Sequence, residues 1–497
     1  MLFNSLDFLI YFPLVTLLYF LLPHRFRWGM LLVASCLFYM AFIPVYILVL
    51  FTTILIDYFA GIWIEKTAGK TRKIWLITSI LSTCLVLFIF KYFNFFNANM
   101  AGLARWLHWN YSLEGLSLIL PIGLSFHTFQ SLSYVIEVYY GRQKAEHHFG
   151  IYALYVMFYP QLVAGPIERP QHMLHQFYEK HYFEYQRVAN GLKRMAWGMF
   201  KKVVIADRLA VYVNQIYGDP ASSHGLQLLL ATFFFAYQIY CDFSGYSDIA
   251  IGAAQVMGFK LMENFNRPYF SKSISEFWKR WHISLSTWFK DYLYIPLGGN
   301  RVSLSRLYMN LMITFLVSGL WHGANWTYVI WGGLNGFYLL MSLLTRSWRE
   351  KLVQLTRLGQ FPQLHKGLQV ITTFTLICFS WVFFRASSLA DAILVFKRIF
   401  QGLGEGLQLA LEGHLGSIVH LLMAPGVPFG RKEYLLALGT ILLLEIAHLA
   451  QRKGALKWQL SQKPVWVRWV FYYGLVMGVI LLGNYSMAPQ QFIYFQF

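Results

Sequence analysis

Apolar runs long enough to cross a bilayer recur along the whole chain, and nothing constrains its fold more. They lie at about 6–22, 28–43, 45–64, 74–95, 114–140, 226–258, 307–344, 366–383, 434–450 and 466–483, with the 307–344 stretch long enough for two spans. A hydrocarbon core of ~30 Å needs roughly 20 apolar residues per helix. Backbone groups cannot be left unsatisfied in lipid, so only helices or closed barrels span it. Runs of this length read as helices, and an all-α polytopic membrane protein is expected. The stretches 151–165 and 187–213 are shorter or more polar and are expected as partial or tilted helices, for a total of about ten to twelve membrane elements. With 57% hydrophobic and 13% charged residues, the chain is far from a soluble domain, where roughly 25% are charged.

The net charge of +19 would suggest nucleic acid in a soluble protein. Here the basic residues sit in short loops, where positive-inside bias and anionic lipid account for them and no nucleic-acid role is expected. Lys66, Lys70, Arg72 and Lys73 mark one cytoplasmic loop. Counting back makes Arg25 and Arg27 cytoplasmic and starts the chain outside; counting forward puts 97–109 outside and Arg142 with Lys144 back in the cytoplasm. The first run has no Lys or Arg before it and Leu22-Pro23-His24-Arg25 after it, so it reads as a retained helix, not a cleaved signal. Cys36, Cys84, Cys241 and Cys378 have no paired spacing, which argues against a disulfide framework or a metal site. With no internal repeat and no linker, residues 1–497 are read as a single membrane domain. The Gly-interrupted region 385–432 is its loosest part and is expected on the outer surface.

Polar residues within the apolar runs carry the functional signal. His322, in Trp321-His322-Gly323-Ala324-Asn325-Trp326, is a titratable group inside hydrocarbon, where such groups face a bundle interior and usually serve a function. Its bland alternative is a neutral His tying two helices together. Asn325, one helical turn on, either orients that ring or acts as helix glue, and Trp321 and Trp326 are expected to wall a cavity. Residues 277–292 have helical periodicity, with Trp278, His282, Leu285 and Phe289 on one face, and read as an amphipathic interfacial helix. The turn Ile295–Arg301 follows, with a guanidinium suited to phosphate. His127, Gln130, Glu137, Gln238 and Ser244 fit helix–helix hydrogen bonds. Asp242 and Asp248 need cationic or hydrogen-bonding partners and either brace a site or line a wet cavity. Glu445 and His448 share a face and read as structural.

Five segments together resemble the membrane-bound O-acyltransferase (MBOAT) family, closest to its bacterial alginate O-acetyltransferase branch. They are Phe277–Arg301, Ser318-Gly319-Leu320-Trp321-His322-Gly323, Tyr237–Gly252, Leu120–Phe126 and Tyr159–Pro166. The resemblance covers most of residues 1–344, while the C-terminal third carries little signature. It implies a ring of tilted helices around a central cavity where a cytosolic thioester meets an acceptor from the other side, with 277–344 as the catalytic core. The family's near-invariant membrane histidine maps to His322 and its more variable second polar position to His282. Trp321, Asn325, Trp278, Arg280 and Asp242 are then expected around the substrates. His322 would act as general base toward an acceptor hydroxyl, a role worth ~10²–10⁴ in rate. Acetyl-CoA is the implied donor, with no tightly bound cofactor and no metal, and Lys279, Arg280, Lys290 and Arg301 are candidate partners for its phosphates. The implied product is an O-acetylated exopolysaccharide such as alginate, finished by a separate extracytoplasmic serine esterase-like protein, since the chain has no Gly-x-Ser-x-Gly elbow. The implied location is the bacterial inner membrane. Two alternatives stay open: D-alanyl transfer to teichoic acid by the same fold, and a proton-coupled transporter or polysaccharide export channel.

Overall fold

The computed structural model describes residues 1–423, 429–453, 460–485 and 492–493, and every regular element among them is helical. The N-terminal group comprises α1 (Leu6–Leu21), α2 (His24–Met40), α3 (Ile47–Lys66), α4 (Gly69–Leu87) and α5 (Phe93–Trp106), the last two joined by a π turn at Phe88–Tyr92. The middle of the chain forms α6 (Leu124–Tyr139), the short α7 (Phe149–Met157), and α8 (Tyr185–Met199), which a second π turn (Phe200–Ala206) continues into α9 (Asp207–Gly218). Then come α10 (Gly225–Met257), α11 (Ile274–Trp278), α12 (Ile283–Phe289) and a third π turn (Lys290–Tyr294). The remainder is α13 (Leu304–His322), α14 (Trp326–Leu344), α15 (Arg346–Leu355), α16 (Pro362–Arg385), α17 (Leu389–Leu411), α18 (Leu415–Leu422), α19 (Arg431–Ala450) and α20 (Val465–Leu482).

Among the described residues, seven helical stretches are long and apolar enough to cross a membrane: 44–66, 69–106, α10, α14, α16, α19 and α20. α1, α2, α6 and α13 pack beside them and are shorter or more polar. Burial separates pillar from periphery. α10 is buried nearly end to end, whereas α20 buries no residue and α1 turns Leu6, Ile10 and Leu21 outward. Large apolar side chains facing out in this number suit lipid, not water. Residues 158–166, the irregular stretch after α7, are all buried, as non-helical backbone at membrane depth must be.

Close helix contacts depend on missing side chains. A Cβ at Gly198 would lie 2.6 Å from the Gly245 carbonyl, which lets α8 lie directly against α10. In the α13–α14 hairpin, a Cβ at Gly319 would lie 2.3 Å from the Tyr328 carbonyl and one at Gly332 2.2 Å from that of Phe315. Small residues at such crossings give membrane helices their packing surface.

One face collects the basic loop ends. Arg72 donates to the Val138 carbonyl, Arg27 to that of His181, and Glu65 meets His147. A Cβ at Gly258, just past α10, would fall on His181, so the C-terminal end of α10 is on this face too. The positive-inside rule makes it cytoplasmic.

Four expectations change. The segment 97–109 is mostly helix, because α5 continues α4 through the π turn. The 114–140 run is helical only from Leu124, since Pro121 and a left-handed Gly123 (φ 75) delay the start of α6. Residues 277–292 do not form one amphipathic helix, because His282 takes a left-handed backbone (φ 43) that separates α11 from α12 and leaves the ring buried. Region 385–432 is largely helical as α17 and α18, with 424–428 outside the described residues.

Candidate functional site

α13 ends at His322, where Gly323 takes an extended backbone, and Asn325 then caps α14 by accepting from the Thr327 N–H at 3.0 Å. His322 therefore sits buried at the turn of the α13–α14 hairpin. Its Nδ1 lies 2.7 Å from the Ser318 carbonyl. A carbonyl can only accept, so Nδ1 carries the proton and Nε2 is the basic nitrogen. Trp321, Trp331 and Phe384 surround the imidazole with ring centres 4.9, 4.8 and 5.7 Å away. The indole N–H groups of Trp321 and Trp331 are buried with no hydrogen-bond partner among the described residues, a pattern that suits a place where a polar ligand binds.

His282 approaches from another part of the chain. Its Nδ1 is 3.3 Å from Asn264 Oδ1. Asn264 pins this segment: its Oδ1 also accepts from the N–H and Oγ–H of Ser284 at 3.2 and 3.0 Å, and its backbone carbonyl accepts from the Ile283 N–H at 2.9 Å. The imidazole packs against Phe243 at 4.6 Å and Trp321 at 6.3 Å, so Trp321 neighbours both histidines. A left-handed non-glycine residue costs of order 1–3 kcal/mol and persists where its surroundings over-determine it.

Two cavities flank this pair. The larger, about 510 Å³, runs along one face of α10 from Gln255 near the cytoplasmic end to Tyr240, and Asn264 lines it. Fifteen helical residues make that about 22 Å, and Asn264 in its wall is one hydrogen bond from His282. The smaller, about 50 Å³, is lined by Lys91, Leu120–Phe126, Val163, Trp321 and His322. Its 120–126 wall follows α5, on the opposite side from the basic face. His322 thus lines the outer pocket, and His282 lies behind Asn264 in the wall of the larger cavity.

Lys91 holds the outer pocket together. Its Nζ donates to the Trp321 carbonyl at 2.7 Å, the His322 carbonyl at 3.3 Å and Ser125 Oγ at 3.3 Å, capping the C-terminal end of α13 with a cation. Of the expected substrate residues, only Trp321 lines either cavity. Trp278 packs on Trp331 and Phe315, behind the His322 cluster. Asp242 pairs with Lys202 at 2.5 Å and accepts from the Ile493 N–H at 2.7 Å, while Phe492 packs on Phe243 beside His282. Arg280 is paired with Glu276 at 2.6 Å, and Lys279, Lys290 and Arg301 are exposed away from both cavities. Trp326 is half-exposed and donates to Asn99 Oδ1 at 2.9 Å. The cavity's cations come instead from Lys193, Arg194, Lys201 and Arg267, with His448 also in its wall.

Residues 146–389 match the family model described as MBOAT, membrane-bound O-acyltransferase family. A probable alginate O-acetylase of Pseudomonas aeruginosa is 40% identical over 407 residues, covering 80% of this chain and 75% of its own. A peptidoglycan O-acetyltransferase of Helicobacter pylori is 38% identical over 394 residues, 74% of this chain and 72% of its own. A teichoic acid D-alanyltransferase of Bacillus subtilis is 28% identical over 283 residues, 54% of this chain and 69% of its own.

Proposed function

The chain belongs to the membrane-bound O-acyltransferase family and is a multi-pass membrane acyltransferase, and from that premise we propose that it moves an acetyl group from cytosolic acetyl-CoA to an acceptor on the outer side, leading to O-acetylation of an exopolysaccharide such as alginate. One observation carries this reading: His322 lines a small pocket on the side opposite the basic face, and Asn264 links His282 to the wall of a large cavity that runs toward the basic face. The thioester enters along α10 and the acceptor reaches the outer pocket. Residues 277–344 supply the core of a single domain that includes the whole chain.

In the transfer step His322 Nε2 takes the proton of the acceptor hydroxyl as its oxygen attacks the thioester carbonyl. The new C–O bond forms, the C–S bond breaks, and the departing thiolate recovers a proton from the imidazolium. The Ser318 carbonyl fixes the tautomer this requires. His282, held by Asn264 on the cavity side, positions the thioester. A separate serine esterase-like protein outside the membrane completes delivery to the polymer. The relatives named for O-acetylation are more similar than those named for D-alanyl transfer, which favours acetyl over D-alanyl.

Labelled acetyl-CoA supplied to purified protein in liposomes tests the reading. Wild type should consume the thioester, and His322→Ala, at matched folding, should lose at least a hundredfold of that turnover. Equal rates would remove His322 from the chemistry.

A further inference from the structure

Asp57 is a fully buried carboxylate in the middle of α3, nine residues from its Lys66 end, which puts it about 14 Å in from the basic face. Its partners are hydroxyls. From α4, Ser79 Oγ donates to Oδ1 at 2.6 Å, and Thr83 Oγ1 lies 3.1 and 3.2 Å from the two carboxylate oxygens. Ser131 of α6 neighbours both this carboxylate and the hydroxyl of Tyr152 on α7. Ser131 Oγ and the Tyr152 hydroxyl are buried, and neither has a hydrogen-bond partner. Asp57 also lacks an ion-pair partner among the described residues. Lys70, Arg72 and Lys73 sit in the first turns of α4, where Arg72 donates to the Val138 carbonyl, and Lys91 is taken up by the last carbonyls of α13.

A carboxylate in hydrocarbon is costly unless its charge is balanced, and two hydroxyl donors ease that cost without cancelling the charge. Two carboxylate and four hydroxyl oxygens converge here from four helices. Oxygen-only ligand sets suit hard cations. With one carboxylate present, a single positive charge makes the cluster neutral, whereas a divalent ion would leave one charge in excess. We propose that Asp57, Ser79, Thr83, Ser131 and Tyr152 form a site for a monovalent hard cation, Na⁺, which ties α6 to α3, α4 and α7. Ser79 and Thr83 keep oxygen lone pairs for the ion while their protons point at the carboxylate, and the ion gives the two unpartnered hydroxyls something to bind. The Ser79 contact of 2.6 Å makes the cluster tight, which favours Na⁺ over K⁺. α6 also carries Ser125 and Phe129, which meet Lys91 and Trp321, so the ion steadies the helix that borders the outer pocket.

Thermal melts of the full-length protein in detergent, in NaCl, KCl or choline chloride at one ionic strength, test the site without any turnover. Na⁺ should raise the wild-type melting temperature by about 3 °C or more over choline, and K⁺ should raise it less. Asp57→Asn keeps the shape and removes the charge, so it should melt alike in all three salts. Tyr152→Phe and Ser131→Ala should each lose part of the Na⁺ shift. Radiolabelled Na⁺ should be retained by wild type, displaced by unlabelled Na⁺, and not retained by Asp57→Asn. Wild type that melts alike in Na⁺ and choline would mean that Asp57 is held as the protonated acid, and overturns the site. A Na⁺ shift that survives Asp57→Asn overturns it too, and a shift as large in K⁺ overturns the choice of ion. If Asp57→Asn fails to fold, the other two variants decide: a Na⁺ shift undiminished in both sinks the proposal.

Discussion

Lys91 has three N–H donors and meets three acceptors, two of them the last carbonyls of α13. It therefore holds the hairpin turn that carries His322, and its loss should act on the chemical step more than on donor binding. Lys91→Met is expected to lower kcat at least tenfold in folded protein with donor KM within about twofold, and Lys91→Arg to recover part of it. A kcat equal to wild type would show that the ammonium only supports the fold. An isolated lysine in the apolar run 74–95 was visible in the sequence, but its partners lie about 230 positions away, beyond what spacing reveals. His322 was legible because an imidazole inside hydrocarbon stands out on its own. Asn264 was not, since a single amide outside a periodic segment carries no signal until the loop closes on His282. A third residue acts through pH. The Glu168 carboxylate bonds to His172 at 2.6 Å and also accepts from the Met262 N–H, just past the C-terminal end of α10. That bond, against burial, raises the His172 pKa above its ordinary value of about 6.5. The pair then stabilises fully below that ordinary value, and the contribution disappears as pH rises through the raised one. Thermal melts of wild type and His172→Gln should differ at acidic pH and converge on the alkaline side. A gap that widens with pH would contradict this assignment.

Helices were the most legible elements, and their interruptions the least. Hydropathy located nearly every membrane helix because burial in lipid demands length and apolarity. Periodicity carried a single helix across 277–292, because a left-handed residue at His282 leaves the spacing of apolar residues unchanged. The π turns were equally silent, although such turns are often found at functional sites. Each carries a lysine, and Phe88–Tyr92 and Phe200–Ala206 aim theirs inward: Lys91 at α13, Lys201 at Asp248, and Lys202 at Asp207 and Asp242. The contact of α8 with α10 makes a sharper prediction. Leucine at Gly198 would have to displace the Gly245 backbone, and overpacking of this kind costs about 1–3 kcal/mol or more. Gly198→Leu should lower the melting temperature in detergent, while leucine at Gly439, which has open space around it, should change it little. Equal effects would mean that the α8–α10 approach is looser than described.

Across the whole molecule, the arrangement that matters is sidedness. The basic loop ends, the Gln255 end of the 510 Å³ cavity and the C-terminal end of α10 share one face, while Lys91 and the 50 Å³ pocket lie toward the other. The apolar runs and basic loops foretold a polytopic protein and its orientation. The outer pocket at His322 and the link from His282 through Asn264 to the larger cavity depend on contacts between segments far apart in sequence, and only the folded chain displays them. The most direct measurement reconstitutes the protein in one orientation in sealed vesicles and presents labelled acetyl-CoA from one side at a time, with a hydroxyl acceptor on the other. The account predicts acetyl transfer only when the donor meets the face bearing Lys66 and Lys70, and its loss in His322→Ala. Equal transfer from either side, or transfer that survives the substitution, would contradict it.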